Sequence, residues 1–178
     1  MGKVLADTSL LVSVVDQKMA VFRNGVEVSR YPISTSKFGL GDSWGSFATP
    51  IGTLEVAQKI GERAREGAVF KERRLTGEVL IPNAPGRDPI VTRILWLRGL
   101  ESRNSNSFKR CIYIHGTPEE RTLGQPVSWG CIRMRSKDVV QVFNAVDVGT
   151  RVEIFQKPLK VLVKEQSKSF NLAQLLRG

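Results

Sequence analysis

Apolar and polar residues alternate over short stretches along most of this chain, which is the pattern of β-strands buried on one face. The clearest local signal is Asn24-Gly25, a pair favoured in two-residue type I′ turns, between apolar stretches at 19–23 and 26–28. Further strands are predicted at residues 10–15, 31–36, 53–58, 90–97, 108–114 and 150–156. Strands therefore far outnumber helices, and the pattern predicts a single mainly β domain closed as a sandwich or barrel.

The clearest helical periodicity follows residue 135. Ser136 is a suitable N-cap and Asp138 is an acidic residue in the first turn, both typical of a helix start. An apolar stripe with helical spacing follows and stops before Gly149. Its members are Val139, Val140, Val142, Phe143 and Val146. One main helix is therefore predicted within the β domain.

Two regions lack a clear strand pattern. Residues 60–89 hold a glycine-bracketed run of charges and a proline-rich stretch, so part of them is expected to form a surface loop of the kind that often carries function. The tail at 157–178 holds five basic residues and one acid, with a short amphipathic helix predicted around its last apolar residues. Those residues are Phe170, Leu172, Leu175 and Leu176. We therefore divide the chain into a domain at 8–156 and a basic C-terminal extension at 157–178.

The composition is that of a soluble globular domain, with 41% hydrophobic and 25% charged residues in a chain of 178. The net charge of +10 fits polyanionic surroundings, such as nucleic acid, anionic membrane or cell wall, about as well as a merely solvated basic surface. Because the basic residues are scattered and aromatic residues make up only 7%, nucleic-acid binding is not expected.

Membrane and export signals are weak along the sequence. No stretch approaches the roughly 20 apolar residues of a transmembrane helix. The apolar stretch at 10–15 is too short for the core of a signal peptide, and Asp16 follows it at once. No signal peptide is visible, so the sequence by itself fits either a cytoplasmic protein or a chain whose export signal is missing.

The candidate chemistry centres on one histidine and two cysteines. His115 is the only imidazole, so any Cys–His chemistry must use it, and it closes an alternating stretch that ends at a glycine. Cys131 lies sixteen residues further on, directly after a glycine, in a setting typical of a turn with close backbone approach. Cys111 is the second thiol. These three residues cannot form a four-ligand zinc site, and we rank zinc below nucleophilic chemistry.

Three segments resemble the L,D-transpeptidase (YkuD-type) catalytic domain family: 115–117 (His-Gly-Thr), 128–134 (Ser-Trp-Gly-Cys-Ile-Arg-Met) and 49–52 (Thr-Pro-Ile-Gly). The likeness covers residues from about 10 to 155. It implies the mixed β-sheet fold of that catalytic domain, with the main helix after the catalytic cysteine. One position departs from the family pattern, because most members carry histidine where this chain has Trp129.

The resemblance implies a role for most residues of the motif. Cys131 would be the nucleophile and His115 the base that takes its proton, with the Gly116 carbonyl orienting the imidazole. Gly130 and the Cys131 amide would form the oxyanion hole. Ser128 would support the loop by hydrogen bonding, since no second base exists to activate it. The alternatives are a buried structural thiol and an ordinary histidine at the end of a strand.

Four further side chains are assigned around this motif. In an extended segment Arg133 shares a face with Cys131, where its planar fork suits a substrate carboxylate or a backbone carbonyl, although a plain surface arginine is the alternative. Trp129 and Tyr113 are expected to line the substrate site. Cys111 shares a face with Tyr113 by alternation and is expected to be a free structural thiol. A Cys111–Cys131 disulfide could exist only in an inactive oxidised form.

The activity implied by the resemblance is that of a cysteine L,D-transpeptidase in cell-wall biogenesis, which takes a peptidoglycan stem tetrapeptide as a thioester and passes it to an amine. Water as acceptor would give an L,D-carboxypeptidase, and a lipoprotein lysine would give protein anchoring. The alternative from another class is a cell-wall binding module that has lost catalysis. No cofactor or metal is implied. The expected partners are peptidoglycan stem peptides, with peripheral contact to the cell wall in the cell envelope or periplasm.

Overall fold

A computed structural model describes residues 7–176, which form ten strands, two α-helices and two short 3-10 turns. The strands are β1 (Thr8–Ser13), β2 (Lys18–Arg23), β3 (Val26–Pro32), β4 (Gly52–Ile60), β5 (Ala68–Lys71), β6 (Arg74–Val79), β7 (Ile90–Gly99), β8 (Tyr113–Gly116), β9 (Ile132–Met134) and β10 (Arg151–Phe155). The helices are α1 (Ser136–Ala145) and α2 (Leu159–Leu175), and the 3-10 turns lie at Ser102–Asn104 and Glu120–Thr122. None of the described helices is long and apolar enough to cross a membrane.

All ten strands belong to one mixed sheet, in the order β3-β2-β1-β10-β4-β7-β5-β6, with β8 added to β7 and β9 added to β8. β10 runs parallel to β1 and β9 parallel to β8, whereas the other pairings are antiparallel. Two isolated bridges, Ser34 to Arg133 and Ser36 to Ser128, join the chain after β3 back to the region of β9. The sheet therefore curls towards closure, and the prediction of a single mixed-sheet β domain is confirmed.

The main core lies between the curled sheet and α1. Alternation sets which residues enter it: along β4, for example, Leu54 and Val56 are fully buried while Thr53 and Glu55 between them are only half-buried. From α1, the buried residues Val139, Val142 and Phe143 join the same cluster. The predicted helix is therefore confirmed, and its apolar stripe covers the strands that carry the site.

The predicted hairpin is also confirmed. Asn24 has a φ of 50° and Gly25 a φ of 75°, the two positive angles that a type I′ turn requires. β2 and β3 flank this turn and pair in antiparallel register. The Phe170 ring of α2 lies directly over Gly25, at the place where a side chain at that position would be. Glycine is thus required both by the turn and by the packing of the helix on it.

The tail forms a longer helix than the sequence predicts. α2 has 17 residues, and its first turns pack on the face of the sheet opposite α1. Leu159 and Leu162 contact Leu11 and Phe22 there, and both leucines are almost fully buried. The reason is that β1 and β2 are apolar on both faces, so the second face needs a cover. The division at residues 156 and 157 stays a prediction.

The strand predicted at 108–114 is wrong over its first half. Phe108 lies in a turn because its ring stacks on Trp96 at 4.2 Å between centroids, and the Trp96 indole N–H donates to the Phe108 carbonyl at 2.9 Å. Cys111 has a φ of 57°, which a strand does not allow. The strand begins only at Tyr113. A stacking partner twelve residues earlier in the chain decides the local conformation.

Within the stretch 60–89, of which only part was expected to be loop, β5 and β6 form an antiparallel pair. One smaller expectation differs from the structure. The N-cap of α1 is Arg135, and Ser136 is the first residue of the helix. The Ser136 hydroxyl is instead hydrogen-bonded to that of Thr92 at 2.6 Å, which ties α1 to β7.

The packing of α2 predicts unequal effects of two leucine truncations. Leu162→Ala should lower the free energy of unfolding by about 2–3 kcal/mol, because it opens a cavity against the sheet. Leu172→Ala is the matched control, since that side chain is 60% exposed and should cost less than about 0.5 kcal/mol. Urea unfolding followed by circular dichroism measures both. Equal losses would mean that α2 does not pack on this face.

Candidate active site

Parallel pairing of β8 with β9 brings the histidine and the cysteine together. Ile114 lies beside Ile132 and His115 beside Arg133, and both isoleucines are fully buried in the main core. Residues that alternate with these isoleucines must point to the opposite face of the sheet. His115 and Arg133 therefore share that face, and Cys131 precedes Ile132 at its entry. The register therefore places His115 and Cys131, sixteen positions apart in the chain, on one face of the sheet.

Cys131 follows a sharp turn at Gly130, whose φ of 120° disfavours any other residue. A hydroxyl holds this turn on one side: Thr49 donates to the Gly130 carbonyl at 2.9 Å and accepts the Ser36 N–H at the same distance. Thr49 belongs to the Thr-Pro-Ile-Gly segment. That segment therefore acts by fixing the backbone in front of the cysteine.

Ser128 holds the same turn from the other side. Its hydroxyl donates to the Cys131 carbonyl at 2.6 Å and accepts the Gly130 N–H at 3.3 Å. Its own N–H donates to Thr35 O at 2.9 Å, and the residue is almost fully buried. These contacts give Ser128 the position of a supporting residue, and they occupy the Gly130 N–H. The Cys131 N–H has no hydrogen-bond acceptor among residues 7–176.

The Cys131 thiol lies against the backbone that leads into β8. It donates to the Cys111 carbonyl at 3.4 Å and accepts the Tyr113 N–H at 3.3 Å. Burial raises the pKa of the Cys131 thiol to about 11, which the Tyr113 N–H and the charge of Arg110 only partly oppose. The thiol is therefore protonated at neutral pH. Both cysteines are free.

The His115 ring is held by the backbone beside it. Its Nδ1 lies 2.8 Å from the Gly116 carbonyl oxygen, and since a carbonyl can only accept, Nδ1 carries the proton and Nε2 is the basic nitrogen. Burial lowers the pKa of His115, so the imidazole is neutral at neutral pH. Within residues 7–176 no hydrogen bond joins this ring to the Cys131 thiol.

Together these two pKa shifts define the resting state of the site. An imidazole hydrogen-bonded to the thiol would lower the pKa of Cys131, whereas burial in this fold raises it. The resting site thus holds a neutral thiol and a neutral His115 imidazole on one face of the sheet.

Arg133 is not a surface arginine, since only 4% of the residue is exposed. Its Nη1 forms an ion pair with Asp88, and its Nη2 donates to the hydroxyls of Ser34 at 3.1 Å and Thr122 at 2.9 Å. These contacts rule out the alternative of a plain surface arginine, because a carboxylate and two hydroxyls of the chain itself hold the end of the guanidinium. The orienting or substrate-binding role of Arg133 stays a prediction.

Asp88 is a residue of the site's surroundings that the sequence did not reveal. Its carboxylate accepts from Arg133 and from the Thr117 hydroxyl, so it joins β9 to the chain that follows His115. Its negative charge raises the pKa of His115, opposing burial, while the charge of Arg133 lowers it. The signal that could have found it is its place in the irregular stretch at 60–89, where a functional loop was expected.

A groove of about 420 Å³ opens beside the thiol. Among the residues that line it are Cys131, Cys111, Trp44, Phe47, Lys109 and Trp129. Arg110 also lines this groove and forms a buried ion pair with Asp42 at 2.7 Å, which the sequence did not reveal. Arg110 also donates to the Ser46 and Ala48 carbonyls, at 2.6 and 2.9 Å. This pair fastens the loop before β4 to the turn before β8.

A family model for the L,D-transpeptidase catalytic domain (YkuD) matches residues 7–154. The chain belongs to this family. A probable L,D-transpeptidase of Salmonella typhimurium, ErfK/SrfK, is 32% identical over 123 residues, which are 65% of this chain and 39% of that protein. A putative L,D-transpeptidase of Bacillus subtilis, YqjB, is 28% identical over 148 residues, 83% of this chain and 71% of that protein. The chain thus spans well under half of the Salmonella relative.

Solved structures of L,D-transpeptidases share the fold. One from Mycobacterium tuberculosis H37Rv aligns with a TM-score of 0.54 at 21% identity, over 84% of this chain and 58% of that one. L,D-transpeptidase 3 from Mycobacterium tuberculosis, in complex with a faropenem-derived adduct, also aligns with a TM-score of 0.54 at 21% identity, over 84% of this chain and 60% of that one. At this identity the likeness concerns the fold alone.

Trp129 and Tyr113, the two aromatic residues assigned to the substrate site, lie in different surroundings. Trp129, at the position where most of the family has histidine, is 60% exposed and lines the groove beside the thiol. Tyr113 is almost fully buried, and its hydroxyl accepts from Arg73 at 3.2 Å. Its backbone N–H, not its ring, reaches Cys131. Substrate contact therefore stays a prediction for both residues, of which only Trp129 lines the groove.

The neutral state of the resting site predicts how thiol reactivity depends on pH. In a Cys111→Ser background, alkylation of Cys131 by iodoacetamide should accelerate about tenfold per pH unit from about pH 7 to 10, since the thiolate fraction rises steeply below a pKa of about 11. The rate is measured by intact-protein mass. A rate that is already constant below about pH 8 would instead show a preformed thiolate–imidazolium pair.

The Asp88–Arg133 pair predicts a stability difference between two carboxylates. Asp88→Asn should lower the free energy of unfolding by about 3 kcal/mol, because it leaves the buried guanidinium without its counter-charge. Glu78→Gln is the control, since its ion pair with Arg87 is exposed and should contribute less than about 1 kcal/mol. Urea unfolding measures both. Equal small changes would mean that Asp88 does not hold Arg133.

Proposed function

We propose that this chain is a cysteine L,D-transpeptidase that acts on peptidoglycan stem peptides. The observation that carries the proposal is the face shared by Cys131 and His115, where a glycine turn presents the thiol and the Gly116 carbonyl leaves Nε2 of the imidazole basic. A nucleophile, a base with a fixed tautomer and a backbone turn are the parts that acyl transfer from an amide needs.

In the first half-reaction Cys131 attacks the amide carbonyl that precedes the terminal D-alanine of a donor tetrapeptide. The thiol proton passes to Nε2 of His115 as the C–S bond forms, so no free thiolate is required. The oxyanion is stabilised by the Cys131 N–H, which makes no ladder hydrogen bond, whereas the Gly130 N–H donates to the Ser128 hydroxyl and so supports the turn rather than the oxyanion. His115 then returns the proton to the leaving nitrogen, the C–N bond breaks, and D-alanine departs from the thioester.

In the second half-reaction an amine of another stem attacks the thioester. His115 takes the proton from the attacking nitrogen and gives it to the departing Cys131 sulfur, which restores the starting state. Water in place of the amine gives L,D-carboxypeptidase activity, and a lipoprotein lysine gives protein anchoring. The charge of +10 supports a location at the cell wall, an envelope polymer rich in carboxylates.

The second candidate function is a wall-binding module that keeps the fold without turnover. Trp129 is the observation that favours it, because an indole can donate one hydrogen bond but cannot take up a proton, as the family's usual histidine can. His115 argues against it, since it supplies the one base that the mechanism requires. We therefore propose that Trp129 shapes the wall of the groove.

Reaction with a carbapenem separates these functions, since a β-lactam carbonyl can acylate the thiol without an amine acceptor. We expect one adduct per chain by intact-protein mass, lost in Cys131→Ala and retained in Cys111→Ala. Circular dichroism checks that both variants are folded. A wild-type protein that forms no adduct would favour the binding module, and an adduct that survives in Cys131→Ala would place the nucleophile elsewhere.

A further inference from the structure

Four large aromatic side chains stand exposed on one part of the surface. Phe38, Trp44, Phe47 and Trp129 are 50%, 67%, 51% and 60% exposed, and we call them the aromatic platform. Contiguous exposed aromatic residues are avoided on soluble domains unless they bind something. These four belong to none of the hydrophobic clusters of the described core. Their exposure therefore needs a ligand to explain it.

The platform is built as a fixed surface. The Trp129 ring meets those of Phe38 and Phe47 edge-on, with centroids 5.0 and 5.2 Å apart, and the two phenyl rings lie 5.7 Å from each other. The loop that carries Phe47 is anchored by the buried Asp42–Arg110 pair. A surface whose rings hold one another in place loses little entropy when a ligand binds.

The platform is continuous with the catalytic groove. Trp44, Phe47 and Trp129 line the same 420 Å³ groove as Cys131. A substrate whose scissile amide lies at the thiol must therefore extend over at least part of the platform. The stem peptide is attached to a polysaccharide, so the substrate continues from the scissile amide through the rest of the stem to a chain of sugar rings.

We propose that the aromatic platform binds a pyranose ring of the glycan that carries the stem peptide, an inference that rests on the proposed function. The face of an aromatic ring is electron-rich and attracts the weakly positive C–H groups that line one face of a pyranose. Two lysines place positive charge beside the platform. The Lys37 ammonium lies 4.4 Å from the Trp129 ring centroid, and Lys109 lines the groove. Both can bind carboxylates of the peptide that joins the sugar.

A membrane surface is the other ligand that aromatic and basic residues attract, but the shape of the site favours the sugar. Interfacial anchors lie along the apolar face of an amphipathic helix. Here Phe38, Trp44 and Phe47 are in the loop between β3 and β4. Trp44 and Phe47 border a groove together with Trp129, and Phe38 packs against the Trp129 ring beside it. A concave site with aromatic walls and a few charges is the usual form of a small-ligand site.

Kinetics with two donors test the proposal. Wild type should show a KM for a disaccharide tetrapeptide that is lower than that for the free tetrapeptide by about threefold to tenfold, as expected for one or two ring contacts. Trp44→Leu and Trp129→Leu should each reduce the ratio of the KM for the free tetrapeptide to the KM for the disaccharide tetrapeptide. The double variant should bring this ratio near one. Val148→Ala is the matched control, because that side chain is 63% exposed and lies away from the groove.

A binding measurement keeps the test independent of turnover. Calorimetric titration with oligomers of N-acetylglucosamine should give saturable binding to wild type and to Val148→Ala, and none to the double variant. Equal KM values for the two donors in wild type would overturn the proposal, as would unchanged sugar binding in the double variant. The platform would be assigned to a membrane if wild type bound anionic vesicles but no sugar, and if the double variant, but not Val148→Ala, lost the vesicle binding. Failure of the proposed function itself would appear separately, as the absence of a carbapenem adduct.

Discussion

The parallel pairing of β8 with β9 is the constraint on which the site depends. Ile114 and Ile132 are fully buried side by side, so this register cannot slip by one residue without exposing both to water. The same register puts His115 and Arg133 on the other face and delivers Cys131 to its entry. The free energy that fixes the catalytic geometry therefore comes from apolar burial on the opposite side of the sheet.

Two ion pairs, each with a buried guanidinium, attach irregular loops to this rigid centre. Arg133 reaches Asp88 at the end of the stretch before β7, and Arg110 reaches Asp42 in the loop before β4. Each guanidinium is planar and bonds several acceptors at once, which suits it to fixing loops that have no regular backbone pairing. Because a buried charge without its partner is costly, each pair makes one loop position far more stable than the alternatives.

Burial also sets the chemistry of the site. By disfavouring charge it raises the pKa of Cys131 and lowers that of His115, so the resting site holds a proton on the sulfur and none on Nε2. In the proposed reaction, charge appears only while the substrate reacts, inside a site whose backbone dipoles are already oriented. A thiol that is protonated at rest is also a poorer target for oxidants than an exposed thiolate.

Sequence alone determined the features that local residues decide. The Asn24-Gly25 hairpin, the helix after residue 135 and the motif around Cys131 follow from backbone preference, periodicity and residue type within a few positions. Only the tertiary structure decided that residues 108–111 form a turn, since Phe108 stacks on Trp96, and that Arg133 is buried on Asp88. Likewise the pKa values depend on burial, which residues distant in the chain create. The residues next to a position in the sequence do not determine which distant side chains surround it in the fold. The motif around Cys131 could therefore be predicted from the sequence, whereas the hydrogen-bond partners of its residues and their protonation states could not.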